Sequence, residues 1–320
     1  MLRAILTFVG LLTLASLVGP PPAGQQSASP ATETPPFCSG NCPIAEVEFT
    51  FHASDVLGLP VTDLKHGEIT VLDNGLPQAM LLSFYVYENR QVRAGILADA
   101  SDSSKQRPPA NHEIAMQFVK QIFRQKKDLA FVVNFGDQLP LTRAWTTDPE
   151  DLVANINKVT TSRQNKSTGD RAIFDHIDQA CSEQFGKINY TSSANLILLL
   201  STGRDSGSHT SLREAVKACQ RTDTAIYAFR SEAETDFTSA GSKTLSQLAT
   251  ETGGHFFEDN SPAGISKSLQ TVEQELRDQY RVVYHPNNLK RDGSFHRIEL
   301  KMPKRVHNIT LRSGYYAETN

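Results

Sequence analysis

The sequence predicts an α/β protein: a doubly wound, mainly parallel, Rossmann-like domain with a smaller β-sandwich-like domain formed by strands from both ends of the chain. Three observations carry this. Between residues 89 and 278, short apolar runs alternate with stretches of helical periodicity, the pattern of strands buried on both faces and joined by crossover helices. On either side of that region the residues alternate at period 2, as half-buried antiparallel strands do. Each flanking block is too small to be stable in water alone, so residues 44–88 and 279–320 are expected to pack together around the inserted domain.

The chain opens with Met1-Leu2-Arg3 and the apolar run Ala4 to Val18, a charged start and short apolar core of the secretory kind. The run is too short for a comfortable membrane span. Residues 1–24 are therefore expected to be a signal peptide, with an uncleaved N-terminal anchor as the alternative, and the protein to be periplasmic or extracellular. Residues 25–43 are rich in Pro, Ser, Ala, Thr and Gln and read as a flexible linker. No later segment is long and apolar enough to cross a bilayer, so no membrane span is expected in the mature chain. A formal net charge of −3 argues against nucleic acid as a partner. Export permits disulfides among Cys38, Cys42, Cys181 and Cys219. Three pairings are open, and the local one, Cys38 with Cys42 and Cys181 with Cys219, is favoured.

Period-2 strands are expected at Ala45 to Phe51, Gly67 to Leu72 and Met80 to Tyr87, the second ending in the turn Asp73-Asn74-Gly75. Val92 to Ala98, Asp128 to Phe135, Ala194 to Leu200 and Thr224 to Phe229 are compact buried-strand runs. Helices are expected at Asn111 to Arg124, Arg171 to Gln184, Ser211 to Arg221, Leu245 to Glu251 and Ala263 to Arg277, with a short strand at His255 to Glu258. Gln279 to Tyr284, Phe295 to Lys301 and Asn308 to Leu311 close the chain as β-structure.

In open α/β sheets ligands bind outside the carboxyl ends of the strands. Here the first buried strand runs straight into Asp99-Ala100-Ser101-Asp102-Ser103. Carboxylate and hydroxyl oxygens two residues apart in a turn can share one centre, and such hard donors suit Mg2+ or Ca2+. An Asp-x-Ser-x-Ser string in that place resembles the first segment of the metal-ion-dependent adhesion site of von Willebrand factor type A (VWA) domains. The resemblance covers roughly Gln91 to Tyr284. The flanks are also similar to a VWA-related subfamily first described in Acidobacteria, through Val61-Thr62-Asp63-Leu64, Ile69 to Gly75, Thr252-Gly253-Gly254, Leu276-Arg277-Asp278-Gln279-Tyr280 and Arg312-Ser313-Gly314-Tyr315.

The resemblance implies that Asp99, Ser101 and Ser103 hold a cation together with a threonine from a second loop and an aspartate from a third. The sequence departs from the pattern at both places. Arg171 stands where the threonine is expected and Thr202 where the aspartate is expected; Thr168 or Asp170, and Asp205, would have to substitute along a different backbone path. An Asp99–Arg171 ion pair filling the metal's place is the alternative. His112 and His176 read as surface or satisfied polar groups, and Trp145 as a packing anchor. Lys126-Lys127 and Lys290-Arg291 look like solvated turns.

No Gly-x-Ser-x-Gly elbow, phosphate-cradling loop, His-Glu-x2-His or Gly-x-Gly-x2-Gly occurs at the expected positions, and the string at Asp99 lacks a second aspartate two residues on. The expectation is a non-enzymatic, adhesion-type module that binds a protein ligand, through a carboxylate completing the cation's shell. A metal-independent scaffold or interaction protein is the alternative, and a hydrolase the less favoured third.

Overall fold

The computed structural model describes residues 46–87, 90–98, 110–135, 144–161, 172–186, 193–230, 240–287 and 290–317, all within one compact unit, Ile44–Asn320. Four strands come first: β1 (Val47–Ser54), β2 (Thr70–Asp73), β3 (Leu76–Pro77) and β4 (Leu81–Tyr87). The α/β region follows as β5 (Gln91–Ala98), α1 (Ala110–Gln121), β6 (Leu129–Asn134), α2 (Pro149–Thr161), α3 (Ile173–Gln179), β7 (Ser193–Ser201), α4 (Leu212–Arg221), β8 (Thr224–Arg230), α5 (Ala240–Thr252), β9 (Phe256–Phe257) and α6 (Pro262–Arg277). The chain then returns to β-structure in β10 (Gln279–Tyr284), β11 (Phe295–Lys301), β12 (Asn308–Leu311) and β13 (Gly314–Tyr316).

The five strands of the α/β region form one parallel sheet in the order β6-β5-β7-β8-β9. Their continuous apolar character follows from burial on both faces. Ile96, Leu196, Leu198 and Leu200 pack toward Ile114 and Phe118 of α1, Leu152 of α2 and Leu269 of α6. The alternate residues Leu97, Ile197 and Leu199 pack toward Ile177 of α3, Val216 of α4 and Leu248 of α5. Each such side chain, fully withdrawn from water, contributes about 1.5–3 kcal/mol. Gly95 is required in β5 because a Cβ there would sit 2.6 Å from the ring of Phe131. That ring is met edge-on by Trp145, at 4.7 Å between centroids. Trp145 also covers the guanidinium of Arg93, a strand residue with no solvent exposure, so it packs as an anchor.

The helix α2 was not among the expected elements, although Asp148-Pro149-Glu150-Asp151 carries a start signal. The Asp148 carboxylate accepts the Glu150 amide at 2.9 Å, and proline suits the first turn. Beyond Gln179 the helix α3 continues as a π-helical turn, Ala180–Phe185. It carries Cys181, which is bonded to Cys219 of α4 with a Cα–Cα distance of 4.9 Å. Cys38 and Cys42 lie outside the described residues, as do the expected signal peptide and linker.

The flanking strands build two four-stranded antiparallel sheets, β12-β1-β10-β4 and β13-β11-β2-β3, so each sheet mixes strands from both ends of the chain. Phe49, Phe51, Tyr280 and Tyr284 from one meet Val71, Ile298 and Tyr315 from the other in a shared core. This is the β-sandwich that the alternation predicted, with β3 and β13 added. Asn74 and Gly75, at φ of 50° and 78°, turn β2 into β3 as Asn-Gly pairs do. Buried Asp73 accepts hydrogen bonds from the hydroxyls of Tyr284 and Tyr315, both at 2.8 Å, and its other oxygen lies 2.7 Å from Nδ1 of His296.

The sandwich is seated on the α/β region by short polar contacts. Arg312, held to β1 through the carbonyl of Glu48, donates to the carbonyl of Gln220 in α4 at 2.5 Å, and the Ser313 amide donates to Glu251 O at 3.1 Å. Gly253, at φ 85°, lets this segment approach, since a Cβ there would lie 2.6 Å from the Arg312 nitrogen. Thr252-Gly253-Gly254 and Arg312-Ser313 are thus two sides of one junction.

Candidate functional site

In chain order within the parallel sheet, the strand order is second-first-third-fourth-fifth, so the direction of winding reverses between β5 and β7. Doubly wound sheets bind ligands at the carboxyl end of that switch point. There β5 and β7 end in register, with Ala98 beside Leu200. The next residue after β5 is Asp99, and Thr202 follows Ser201 at the end of β7. The string beginning at Asp99 therefore leaves the sheet where the topology places a ligand. Asp99, Ser101 and Ser103 themselves lie outside the described residues, as do Thr168, Asp170 and Arg171 of the second loop.

The third loop is described in full. Thr202 is buried, at 7% exposure, and its Oγ1 accepts the Arg204 amide at 3.4 Å, while Ser201 Oγ accepts the Gly203 amide at 3.0 Å. Gly203 adopts φ 73° and lies so close to the start of α5 that a Cβ would stand 2.2 Å from Gly241 O. Gly241 meets Thr202 O just as tightly. This glycine-to-glycine contact holds the loop against α5 and fixes where Thr202 stands.

Asp205 faces α3. Its Oδ1 accepts the Ile173 amide at 2.8 Å and the Ser208 hydroxyl at 2.6 Å, and its Oδ2 accepts the Ser208 amide at 3.3 Å. Ser208 Oγ in turn accepts the amides of Phe174 and Asp175. Ala172, the residue preceding α3, has no side-chain cap to offer, so the third loop caps the helix from outside. The reverse contact completes the tie: Asp175 accepts the amides of His209 at 3.0 Å and Thr210 at 2.7 Å. Burial pushes the Asp175 carboxyl up, but the Thr210 and His209 donors outweigh it and hold the group at about 2. The third loop closes on α4 through a capping box, Ser211 with Glu214.

Among the described residues no group of three His, Cys, Asp or Glu side chains is arranged to hold a metal ion. From this loop a cation would receive one neutral hydroxyl, Thr202, and a carboxylate already engaged by three donors. That donor set is poorer than the hard, anionic shell that Mg2+ or Ca2+ favours. Other buried polar groups mark the same sheet edge: Asn134 at the end of β6, and Arg230 at the end of β8, which donates to Ser242 Oγ at 3.2 Å.

His112 and His176 are satisfied polar groups. The first has Nε2 2.7 Å from Asn157 Oδ1; the second, buried, has Nδ1 2.7 Å from Ala172 O. Asp175 and Ser208, which hold the third loop, were not singled out from the sequence. For Ser208 the signal is the run Ser208-His209-Thr210-Ser211 between a strand and a helix, a cluster rich in cap-forming side chains.

No protein-family model matches the chain, and no curated protein matches it. Solved structures do match. BatB, a conserved hypothetical protein from Bacteroides thetaiotaomicron, is 16% identical over 57% of this chain and 98% of its own, with a TM-score of 0.41. The manganese-loaded TRAP protein of Plasmodium vivax is 10% identical over 74% of this chain and 98% of its own, at 0.40. Proximal thread matrix protein 1 of the mussel byssus, with a zinc-occupied MIDAS motif, is 17% identical over 63% of this chain and 49% of its own, at 0.44. The chain is similar to these proteins in arrangement only, and its fold class is set by its own strand order: a doubly wound parallel sheet carrying an antiparallel sandwich.

Proposed function

We propose that this chain is an exported, non-enzymatic protein-binding module of the VWA kind, using the carboxyl edge of its parallel sheet as the binding face. The observation that carries this reading is the switch point. The two strands that flank it end in register, and the Asp99-x-Ser101-x-Ser103 string is the first sequence to leave it. The cation site is a reduced one. Asp99, Ser101 and Ser103, with Thr168 from the second loop, hold Mg2+ or Ca2+ weakly, and a carboxylate of a partner protein completes the shell. Thr202 supplies no charge and Arg171 brings a positive one, and both weaken a divalent site. Asp205 is engaged by Ile173 and Ser208. These departures favour a second reading, in which the same loops bind a partner by shape and charge without metal.

Calorimetric titration separates the two. The natural protein is expected to bind Mg2+ weakly, Asp99→Ala to abolish binding, and Arg171→Thr with Thr202→Asp to raise affinity by about tenfold or more. Tight binding that survives Asp99→Ala would move the site elsewhere. No gain in the double variant would sink the loop equivalence.

Export is supported by the charged start and apolar run before Gly19, and by the Cys181–Cys219 bond, which suits an oxidising compartment. Among the described residues no helix is long and apolar enough to cross a membrane. The intact mass of the protein from its native host should show a loss of about 20–25 N-terminal residues. A full-length chain held in the membrane fraction would instead identify an anchor.

A further inference from the structure

Where the sandwich meets the amino-terminal edge of the parallel sheet, a small, largely enclosed cavity of about 20 Å3 lies between the two parts. Its walls are polar. Thr50, Gln279 and Arg312 line it from the sandwich, and Arg90, Asn195 and Asp223 from the α/β region. A space of that size admits one particle as large as a water or a halide ion, and it excludes a carboxylate, phosphate or sulfate group.

The charge on these walls is unbalanced. Two guanidiniums and one carboxylate line the cavity, and a guanidinium cannot shed its proton. Both arginines are buried, Arg90 at 5% and Arg312 at 8% exposure. Arg90 donates to the neutral Gln279 Oε1 at 2.7 Å. Burial pulls its pKa below the usual arginine range, and the opposing pulls, that of Asp223 the largest, do not make up the difference. Arg312 gives its terminal nitrogens to the carbonyls of Gln220 and Glu48, and Nη1 lies 3.5 Å from Asp223 Oδ1. Its Nε finds no acceptor among the described residues, and a buried donor of a charged group left unpaired is costly. Asp223 offsets this charge only in part. Its side chain is 34% exposed, and its other oxygen accepts the Thr50 hydroxyl at 3.2 Å.

We propose that this cavity is a binding site for one small monovalent anion, of the size and charge of chloride, held by Arg312 and Arg90. An anion there accepts the Arg312 Nε–H and offsets the positive charge that Asp223 leaves uncompensated. It also ties the two parts together, because the two guanidiniums come from opposite sides of the junction. A neutral water would satisfy the donor but not the charge. The site stands at the opposite edge of the sheet from the switch point and is independent of the binding loops there.

Thermal unfolding at fixed ionic strength, with sodium chloride replacing sodium gluconate stepwise, tests this. Gluconate is too large for the cavity. An anion bound only by the folded chain raises the melting temperature, by about 2–4 °C at roughly ten times the half-saturating chloride concentration. Asp223→Asn removes the one carboxylate while keeping an oxygen for the Thr50 hydroxyl, at a φ of 48° that asparagine tolerates. In that variant the half-saturating chloride concentration should fall by about threefold or more. A crystal of the natural protein soaked in bromide should show one anomalous peak in the cavity, within hydrogen-bond reach of Arg312 Nε. A melting temperature indifferent to the exchange of anions would overturn the proposal, and so would a bromide-soaked crystal with only water in the cavity, a result that depends on no variant. A chloride effect whose half-saturation Asp223→Asn leaves unchanged would put the anion elsewhere on the molecule and overturn it as well.

Discussion

At the scale of single residues, the titrating contact at the junction of the two parts of the molecule is His255 with Glu275, both of the α/β region and both bonded to Thr310 of the sandwich. The Glu275 side chain is almost fully buried and accepts hydrogen bonds from Tyr227 of β8 and Thr310 of β12, both at 3.0 Å, while His255 Nε2 lies 2.7 Å away. The hydrogen bond to Glu275 raises the His255 pKa, against a smaller opposing effect of burial. A histidine with a raised folded-state pKa stabilises the fold fully below its unfolded value of about 6.5, and that stabilisation is lost as pH rises through the raised value. The melting temperature of the natural protein should therefore exceed that of His255→Gln most clearly near pH 6, and the gap should close toward pH 9. A gap independent of pH would show that His255 acts by packing alone. In the sequence His255 was legible only as the start of a short strand, because Glu275 lies a full helix away and nothing in local spacing links them.

At the scale of elements, the informative case is α3 and the loop after β7. Periodicity predicted a helix from Arg171 to Gln184, but not that its amino end is capped by residues from another loop, nor that its last turn is π-helical. Asp205 faces the positive end of α3 and satisfies its first amide, a contact of the kind worth about 0.5–2 kcal/mol. Asp205→Ala should lower unfolding free energy by about that much in urea titrations, equally in EDTA and in Mg2+. A loss seen only with Mg2+ would assign Asp205 to the cation instead. The disulfide between the π-helical turn and α4 braces the same corner, and the Cys181–Cys219 pairing favoured from the sequence is the one present. The helix α2 is faint in the sequence for a different reason: it has a start signal, but its apolar positions, Leu152, Val153 and Ile156, are few and follow the loop-like Thr146-Thr147-Asp148.

At the scale of the whole molecule, the sequence by itself determined the fold class, because it rests on periodicity. Residues buried on both faces must be continuously apolar, and residues buried on one must alternate. It also determined that the two β blocks belong together, since neither is large enough to stand alone. Only the tertiary structure decided the strand order that makes the end of β5 a switch point, and the seating of Arg312 and Ser313 against Gly253. It also decided the commitment of Asp205 to α3 and the meeting of Arg90 and Arg312 at one cavity. These depend on contacts between residues tens to hundreds of positions apart. A side chain's local environment in sequence states which partners it can accept, while the packing of distant elements states which partner it meets.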